Sequence, residues 1–274
     1  MLEHCFIHLP SIGEKTENKL WESGIKTIDD FVKCPPKFIG PKNRKKILDH
    51  INSVDNIEDP HNYYDNLPSS EQWRIFKQFQ KDTAYIDIET TGLSFYRNEI
   101  TTIALYDGEN IKHYVNGINL DEFKDDIFQY KVIATYNGKT FDVPFIESFF
   151  KIEIPHCHLD LRYILKNLGY SGGLKSCEKQ LGIGRGDDLD GVDGFMAVLI
   201  WNHYQRREDK KALETLLAYN IEDVLNLEYL MITAYNKKIK NLPFDMDALE
   251  IPPKKDNPFE VDESIVNMYR PFSY

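Results

Sequence analysis

Residues 83–93 read Thr-Ala-Tyr-Ile-Asp-Ile-Glu-Thr-Thr-Gly-Leu. Small, aromatic and β-branched residues without a helical period predict a short buried strand at 83–88. Successive side chains of a strand point to opposite faces, so Asp87 and Glu89 should leave the same face. Two carboxylates at the end of a buried strand repel each other and lose hydration, which favours a cation between them or a proton on one of them. Because an isolated Asp-x-Glu is also common at exposed strand ends, the assignment depends on partners elsewhere in the chain.

The overall composition narrows the class of protein. A chain of 274 residues has room for one large domain and a small one. No apolar run approaches the ~20 residues of a membrane span, and the N-terminal residues lack the order of a secretory signal. Four widely spaced cysteines without a C-x-x-C pair favour reduced thiols. We therefore expect a cytoplasmic protein without membrane contact.

The charge is unevenly distributed along the chain. The net charge of −11 argues against a protein that coats nucleic acid by bulk electrostatics. Residues 1–50, however, hold nine Lys or Arg and seven Asp or Glu, a net charge of +2, which leaves −13 for the remainder. A weakly basic N-terminal region on an acidic body suggests that one part binds a polyanion and another binds cations.

The N-terminal region contains two similar segments, residues 11–20 and 38–47. Each has Ile-Gly followed by a lysine-containing stretch, a pattern that predicts a tight turn opening a helix. Backbone N–H groups at such a turn can hold a phosphate, and a nearby lysine adds charge. The residues predicted to bind a phosphate in this way are Gly13, Lys15, Gly40 and Lys42. A helical bundle that only packs on the main domain is the alternative.

The rest of the chain predicts an α/β domain between a linker and a tail. The predicted parts are a nucleic-acid-binding region at 1–50, a polar linker at 51–70, the main domain at 71–240 and a Pro-containing tail at 241–274. Strands are predicted at 83–88, 100–106, 111–115, 131–136 and 158–160, the first three antiparallel. Helices are predicted from a Ser69 or Ser70 cap through Phe79, from an Asn119 cap through Phe128, and at 145–150, 161–168, 174–181, 194–205 and 210–236. A Gly/Asp-rich loop at 182–194 should lie near the site.

Further acidic residues occur where they can join the pair on the first strand. Pro144 fits a first helical turn, which places Asp142 at a helix entrance. Tyr219 and Asp223 are four residues apart on a long helix and share one face. The resulting four carboxylates suit hard divalent cations such as Mg²⁺ or Mn²⁺, and two such ions ~4 Å apart can promote phosphodiester hydrolysis. Tyr219, an ordinary phenol, could orient the attacking water but would not be a strong base.

Three motifs in this order resemble those of the DEDD 3′–5′ exonucleases. They are DIETTGL at 87–93, YNGKTFD at 136–142 and Tyr219-x-x-x-Asp223, in which the tyrosine is typical of the DEDDy branch. That DnaQ-like superfamily has a ribonuclease H-like fold, so the resemblance implies an α/β protein with a mixed β-sheet flanked by helices.

Shorter stretches extend the likeness beyond the three motifs. Residues 73–74, 158–163 and 172–175 are similar to the YprB-like ribonuclease H-like domain family, whose members can carry a comparable N-terminal region. Residues 9–13 resemble the hairpin of helix-hairpin-helix DNA-binding elements. The likeness therefore implies a small α-helical N-terminal region that grips the sugar-phosphate backbone.

The resemblance also implies roles for individual residues. The implied metal ligands are Asp87, Glu89, Asp142 and Asp223, which would hold two divalent ions, with Tyr219 orienting water. The implied substrate-binding residues are Thr90, Thr91, Gly92, Leu93, Asn137, Phe141 and Lys175. For Asn137, Phe141 and Lys175, a turn cap, a core contact and a helix cap respectively are alternatives. Asp160 and Arg162 are expected to pair with each other or with nearby backbone rather than to extend the metal site.

Together these inferences predict a metal-dependent exonuclease that removes 3′-terminal nucleotides from single-stranded DNA. DNA is preferred to RNA because the N-terminal region resembles a DNA-backbone binder. The alternatives are a 3′–5′ exoribonuclease and an inactive nuclease fold whose N-terminal region recruits DNA. An acid cluster that serves structure alone would require all three motifs to be coincidental.

Overall fold

Strand β1, Thr83–Thr90, is the central strand of a five-stranded sheet in the computed structural model, which describes residues 1–53, 58–184 and 194–270. The other strands are β2 Ile100–Tyr106, β3 Ile111–Val115, β4 Val132–Thr135 and β5 Cys157–Asp160. Their order across the sheet is β3-β2-β1-β4-β5. The pairs β1–β2 and β2–β3 are antiparallel, whereas β1–β4 and β4–β5 are parallel. The predicted mixed sheet with three leading antiparallel strands is confirmed.

Helices flank this sheet on both sides. In chain order they are α1 Glu14–Glu22, α2 Ile28–Lys33, α3 Pro41–Ser53, α4 His61–Tyr64, α5 Phe76–Phe79, α6 Phe123–Ile127, α7 Asp142–Phe150, α8 Leu161–Asn167, α9 Leu174–Leu181, α10 Gly194–Arg207, α11 Lys210–Ile239 and α12 Glu263–Tyr269. None of these described helices is both long enough and apolar enough to cross a membrane.

The alternation of side chains along β1 divides them between two cores. Ala84, Ile86 and Ile88 pack on one side of the sheet with α6 and α7. Tyr85 packs on the other side, in the core that includes the apolar residues of α11. Because the side-chain period of a strand is two, Asp87 leaves β1 on the face of Tyr85 and therefore points towards α11.

The N-terminal helices form a core of their own, and the residues that precede them join the main core. Helices α1 and α3 begin directly after Gly13 and Gly40, as the two Ile-Gly segments predict. Within the main core, Leu2, Cys5 and Ile7 belong to the same buried cluster as residues of α11. The N-terminal region is therefore packed firmly against the sheet-bearing part of the chain.

Two predicted helix caps are wrong. Ser69 and Ser70 do not cap a helix, because the element there is a 3₁₀ segment at Gln72–Ile75 that begins after Glu71. Asn119 makes no cap hydrogen bond; its side chain accepts from the backbone N–H of Val115 and donates to the carbonyl of His113. In the second case the Asn119 side chain forms its hydrogen bonds with the backbone at the end of β3 instead of with the helix.

The C-terminal segment contains an element that the sequence pattern does not predict. Helix α12 packs against α10 and α11, and its Ile265 and Val266 side chains are buried. The predicted loop at 182–194 cannot be compared along most of its length, because 185–193 lie outside the described residues. The same holds for 54–57 in the predicted linker and for 271–274 at the end of the tail.

Candidate active site

Carboxylates from β1 and α11 meet at one end of the sheet. One carboxylate oxygen from each of Asp87, Glu89 and Asp223 lies within 4.8 Å of the other two. Glu89 and Asp223 are only 8% and 5% exposed, and Asp87 is half-buried. The strand places the first two on one face, and the long helix that covers this face brings the third.

A fourth acid, Asp142, reaches the same cleft from helix α7. It is the first residue of α7, and its Oδ1 accepts a hydrogen bond from the backbone N–H of Ile88 at 3.3 Å. It is buried and lines the same cleft as the three clustered acids. The structure therefore brings the four predicted acids into one cleft, with three of them in direct proximity.

The electrostatics of this cleft favour a cation. Burial raises the pKa of Asp87 and of Glu89 well above the usual carboxyl range, and the charges of Asp223 and Asp142 raise both further. Burial also raises the pKa of Asp142 to about 7. A divalent ion would offset this repulsion, and a donor set made of carboxylate oxygens suits Mg²⁺ or Mn²⁺. The residues present thus fit a divalent metal.

A buried amide positions one of the acids, and the sequence interpretation missed it. Asn220 is fully buried on α11, and its Nδ2 donates to Asp87 Oδ2 at 2.8 Å and to the Asp87 carbonyl at 3.2 Å. Its Oδ1 accepts from the Thr102 hydroxyl on β2 at 3.0 Å. The available signal was an amide on an apolar helix face, since a buried amide requires hydrogen-bonding partners.

The cleft above the acids has a volume of about 450 Å³. The other predicted residues that line it are Thr90, Gly92, Leu93, Asn137, Phe141 and Tyr219. Leu93 is 83% exposed at the cleft, whereas Tyr219 is 6% exposed. Phe195 of α10, which the sequence interpretation did not single out, also lines the cleft and is 72% exposed. Exposed apolar side chains at an acidic cleft can contact the faces of bases.

Two predicted substrate-binding residues lie beside the described lining rather than in it. The Thr91 hydroxyl accepts from the Glu99 N–H at 2.9 Å, and the Thr91 N–H donates to the Glu99 carbonyl at 2.9 Å. These bonds close the loop that follows β1. Lys175 of α9 has its Nζ 4.7 Å from the centroid of the Tyr219 ring. Burial and the neighbouring acids raise the pKa of Glu89, and the charge of Lys175 opposes part of this rise.

The connection from β4 to α7 is held by Asp160 at the end of β5. Asp160 Oδ1 accepts from the Asn137 N–H at 2.8 Å, and Oδ2 accepts from the Lys139 N–H at 3.1 Å. Asn137 has a positive φ of 68°, and a Cβ on Gly138 would lie 2.7 Å from the Thr135 Cβ. This tight turn leads into Asp142, so Asp160 pairs with nearby backbone as predicted.

The predicted DNA-binding residues lie outside the described lining of the cleft. Gly13 is the residue before α1 and has an extended backbone, and Gly40 precedes α3. The side chains of Lys15 and Lys42 are exposed on the first turns of these helices.

A comparison with known protein families identifies one that covers the sheet-bearing part of the chain. Residues 84–235 match the family model RNase_H_2, described as RNase_H superfamily. No curated protein sequence compared with this chain matches it. Similar solved structures include a family B DNA polymerase from the archaeon Pyrobaculum calidifontis, at 17% identity and a TM-score of 0.44 over 58% of this chain and 24% of the polymerase. The matched part thus spans about a quarter of that polymerase.

Brucella melitensis NrnC is similar in two further structures. With bound Mg²⁺ it is 17% identical, with a TM-score of 0.38 over 58% of this chain and 74% of NrnC. Bound to pGG it is 18% identical, with a TM-score of 0.41 over 60% of this chain and 76% of NrnC. Because the family model covers more than half of the residues, the chain belongs to the RNase H superfamily.

Proposed function

We propose that this chain is a metal-dependent 3′–5′ exonuclease that hydrolyses the terminal phosphodiester bond of single-stranded DNA. The observation that carries the proposal is the group of carboxylates from Asp87, Glu89 and Asp223 within 4.8 Å of one another, with Asp142 in the same cleft. Two divalent ions, Mg²⁺ or Mn²⁺, held by these four residues would activate water and stabilise the leaving oxygen.

The chain's own residues bind and orient the substrate in this proposal. Tyr219 lines the cleft one helical turn before Asp223, and its hydroxyl holds the attacking water by a hydrogen bond. Leu93 and Phe141 contact the terminal base, while Lys175 adds positive charge beside the acids. Attack on phosphorus breaks its bond to O3′ of the penultimate nucleotide and releases a nucleoside 5′-monophosphate.

The remaining predicted substrate residues line the same cleft or the loop beside it. In the proposal, Thr90, Thr91 and Gly92 hold the sugar of the 3′-terminal nucleotide, and Asn137 faces it across the cleft. The side chains of Thr90 and Thr91 keep this loop closed, through the Thr90 hydroxyl to the Gly92 carbonyl at 2.8 Å and the Thr91 hydroxyl to Glu99. Because this loop is already held in one conformation, it loses little conformational entropy when substrate binds.

The preference for DNA rests on the N-terminal region. Two helices that begin directly after Ile-Gly segments, each with an exposed lysine in its first turn, support binding of the sugar-phosphate backbone. The proposed contacts are Gly13, Lys15, Gly40 and Lys42. A 3′–5′ exoribonuclease is the competing substrate assignment, and both substrates therefore belong in the same experiment.

The test offers 5′-labelled single-stranded DNA and RNA of one sequence to the full chain with Mg²⁺ or Mn²⁺. A ladder that shortens from the 3′ end on DNA supports the proposal, and a 3′-phosphate block on the same oligonucleotide should suppress it. Shortening on RNA alone would instead identify an exoribonuclease. No cleavage of either substrate with either metal would contradict the nuclease proposal and favour a binding module.

Matched variants assign the activity to the acid cluster. Asp223→Ala removes a clustered carboxylate and should abolish cleavage. Glu214→Ala removes an exposed carboxylate from the same helix α11 and should leave the rate within about twofold of wild type. Equal activity of the two variants would show that the observed cleavage does not depend on the proposed site.

A further inference from the structure

A second cavity adjoins the catalytic cleft. It has a volume of about 710 Å³ and lies between the β4–α7 connection, α8 and the start of α9. It shares four lining residues with the cleft, namely Tyr136, Asn137, Leu174 and Gly194. The two cavities are therefore neighbours in one groove, and an extended molecule held in the first can continue into the second.

The charge of the second cavity is opposite to that of the first. Arg162 and Lys166 line it, four residues apart on one face of α8, and both side chains are exposed. None of its described lining residues is acidic. Arg162 also donates a hydrogen bond from Nη1 to Asn137 Oδ1, which fixes the guanidinium against the wall that both cavities share.

The backbone at the entrance to α9 adds to this positive environment. Gly172 and Gly173 line the cavity with φ values of +103° and +90°, a conformation that glycine adopts without strain. They lead directly into α9, and the first turn of a helix presents N–H groups that have no partner within the helix. Tyr136 and Tyr170 supply aromatic surface in the same cavity. Cationic side chains, helix N–H groups and aromatic rings are the groups that bind single-stranded nucleic acid.

We infer that this basic cavity, lined by Arg162, Lys166 and residues 170–174, binds a phosphate of the substrate strand on the 5′ side of the scissile bond. The inference rests on the proposed function, because the strand direction follows from the 3′-terminal nucleotide occupying the acidic cleft. The phosphate is either an internal phosphodiester or the 5′-terminal phosphate of a short oligonucleotide. The same cationic and N–H groups would bind either phosphate, and oligonucleotides with and without a 5′-phosphate distinguish the two.

The experiment measures equilibrium binding to the full chain carrying Asp223→Ala, so that the ligand is not consumed. Single-stranded DNA hexanucleotides, each with one phosphate replaced by a neutral methylphosphonate, compete with a fluorescent oligonucleotide in the presence of Mg²⁺. They are tested with and without Lys166→Met. Lys179→Met, an exposed lysine near the end of α9 that does not line the cavity, is the matched control.

Lys166→Met should weaken binding of the unmodified hexanucleotide about 5- to 10-fold and reduce the slope of log K against log salt by about 1. One methylphosphonate position should weaken binding to the protein with Lys166 and add no further loss in Lys166→Met. Lys179→Met should change neither quantity. Trinucleotides with and without a 5′-phosphate distinguish the two phosphates. If Lys166→Met weakens binding only of the trinucleotide that carries a 5′-phosphate, the cavity binds the terminal phosphate. If it weakens binding of both trinucleotides, the cavity binds an internal phosphate.

Unchanged affinity and unchanged methylphosphonate effects in a combined Arg162→Gln and Lys166→Met variant would overturn the inference. The proposed function would survive that result if the wild-type protein still shortened DNA from the 3′ end. If the protein with Asp223→Ala bound no oligonucleotide and the wild-type protein cleaved none, both proposals would be wrong.

Discussion

The side-chain amide of Asn220 connects two strands and the long helix at the acid cluster. It donates twice to Asp87, through the carboxylate and the backbone carbonyl, and accepts from Thr102. A donor to a carboxylate favours the ionised form, and it lowers the pKa of Asp87 against the larger effect of burial. Asn220 therefore orients Asp87 and keeps it closer to the charge state that a metal requires.

Replacing this amide should weaken metal binding more than it weakens folding. We expect Asn220→Ala to lower the rate of the proposed DNA cleavage about 10- to 100-fold and to raise the Mg²⁺ concentration that gives half-maximal cleavage. Thr102→Val, which removes only the hydroxyl that orients the amide, should have the same effect to a smaller degree. Steady-state cleavage rates in a Mg²⁺ titration give the maximal rate and the half-maximal Mg²⁺ concentration for each variant. A variant with lower thermal stability but unchanged Mg²⁺ dependence would show that the amide only supports packing.

The buried acids also determine how the stability of the metal-free protein changes with pH. The pKa of Asp142 is about 7 in the folded chain and 3.8 ordinarily. A carboxyl whose pKa is raised by folding loses its contribution to stability as the pH rises from about 4 to about 7. Buried histidines act in the opposite direction, because burial lowers the pKa of His8 to about 4 and that of His158 to about 3. A comparison with a variant of Asp142 is therefore needed to separate its contribution to the pH dependence of stability from that of the histidines.

Asp142→Asn should become progressively more stable than wild type as the pH rises from 4 to 8 in EDTA, by at most about 4 kcal/mol. The substitution retains the oxygen that accepts from Ile88, so the hydrogen bond at the start of α7 is preserved. Chemical denaturation at each pH gives the difference in unfolding free energy. Saturating Mg²⁺ should reduce the difference, because the metal stabilises the ionised acids of the wild type. A difference independent of pH would contradict the raised pKa.

At the scale of elements, the strands and most helices, including the short helices α8 and α9, follow from local pattern, whereas two helix caps and helix α12 do not. Small, aromatic and β-branched residues without a helical period identify β1, and an apolar face identifies α11, so the convergence of their acids is predictable. The cap at Asn119 fails because the end of β3 competes for the same side chain. Helix α12, with seven residues, is too short to show a helical period, and its burial against α10 and α11 stabilises it instead. Such outcomes depend on contacts between elements that are distant in sequence.

Asp160 shows how one side chain joins three elements around the site. It ends β5, caps α8 by accepting from the Arg162 N–H at 3.0 Å, and accepts from two N–H groups in the β4–α7 connection. Asp160→Ala should lower the unfolding free energy by about 2–3 kcal/mol, because it removes a helix cap and leaves amides without acceptors. It should also lower activity, since the connection leads to Asp142. Urea denaturation and steady-state rates measure the two effects.

A second helix cap provides the control for that prediction. Asp262 caps α12 by accepting from the Ser264 N–H at 2.9 Å, and it does not line the described cleft. Asp262→Ala should lower stability by about 1 kcal/mol while leaving the rate unchanged. Asp160→Asn, which keeps one acceptor oxygen, should fall between wild type and Asp160→Ala in both measurements. A rate for Asp160→Ala equal to that of wild type would show that the connection does not depend on this side chain.

At the scale of the whole molecule, the N-terminal region and the sheet-bearing part share buried contacts. Arg74 is 4% exposed and donates to Glu17 of α1 at 2.8 Å and to Glu71 at 2.9 Å. Leu2 and Ile7 belong to the main core. Deleting residues 1–50 would expose this core and remove a partner from a buried charge, which is strongly destabilising. Nucleic-acid binding by this region is therefore best tested with surface charges in the intact chain.

Lys15→Met with Lys42→Met removes the charges beside the two Ile-Gly segments. If each lysine contacts one phosphate, the affinity for single-stranded DNA of about 20 nucleotides should fall, and the slope of log K against log salt should fall by about 2. Hydrolysis of a dinucleotide should be unchanged, because neither lysine lines the described cleft. Lys26→Met with Lys33→Met alters the net charge equally at exposed positions of the same region. Equal losses of affinity in the two pairs of variants would show that net charge, rather than position beside the Ile-Gly segments, sets the affinity.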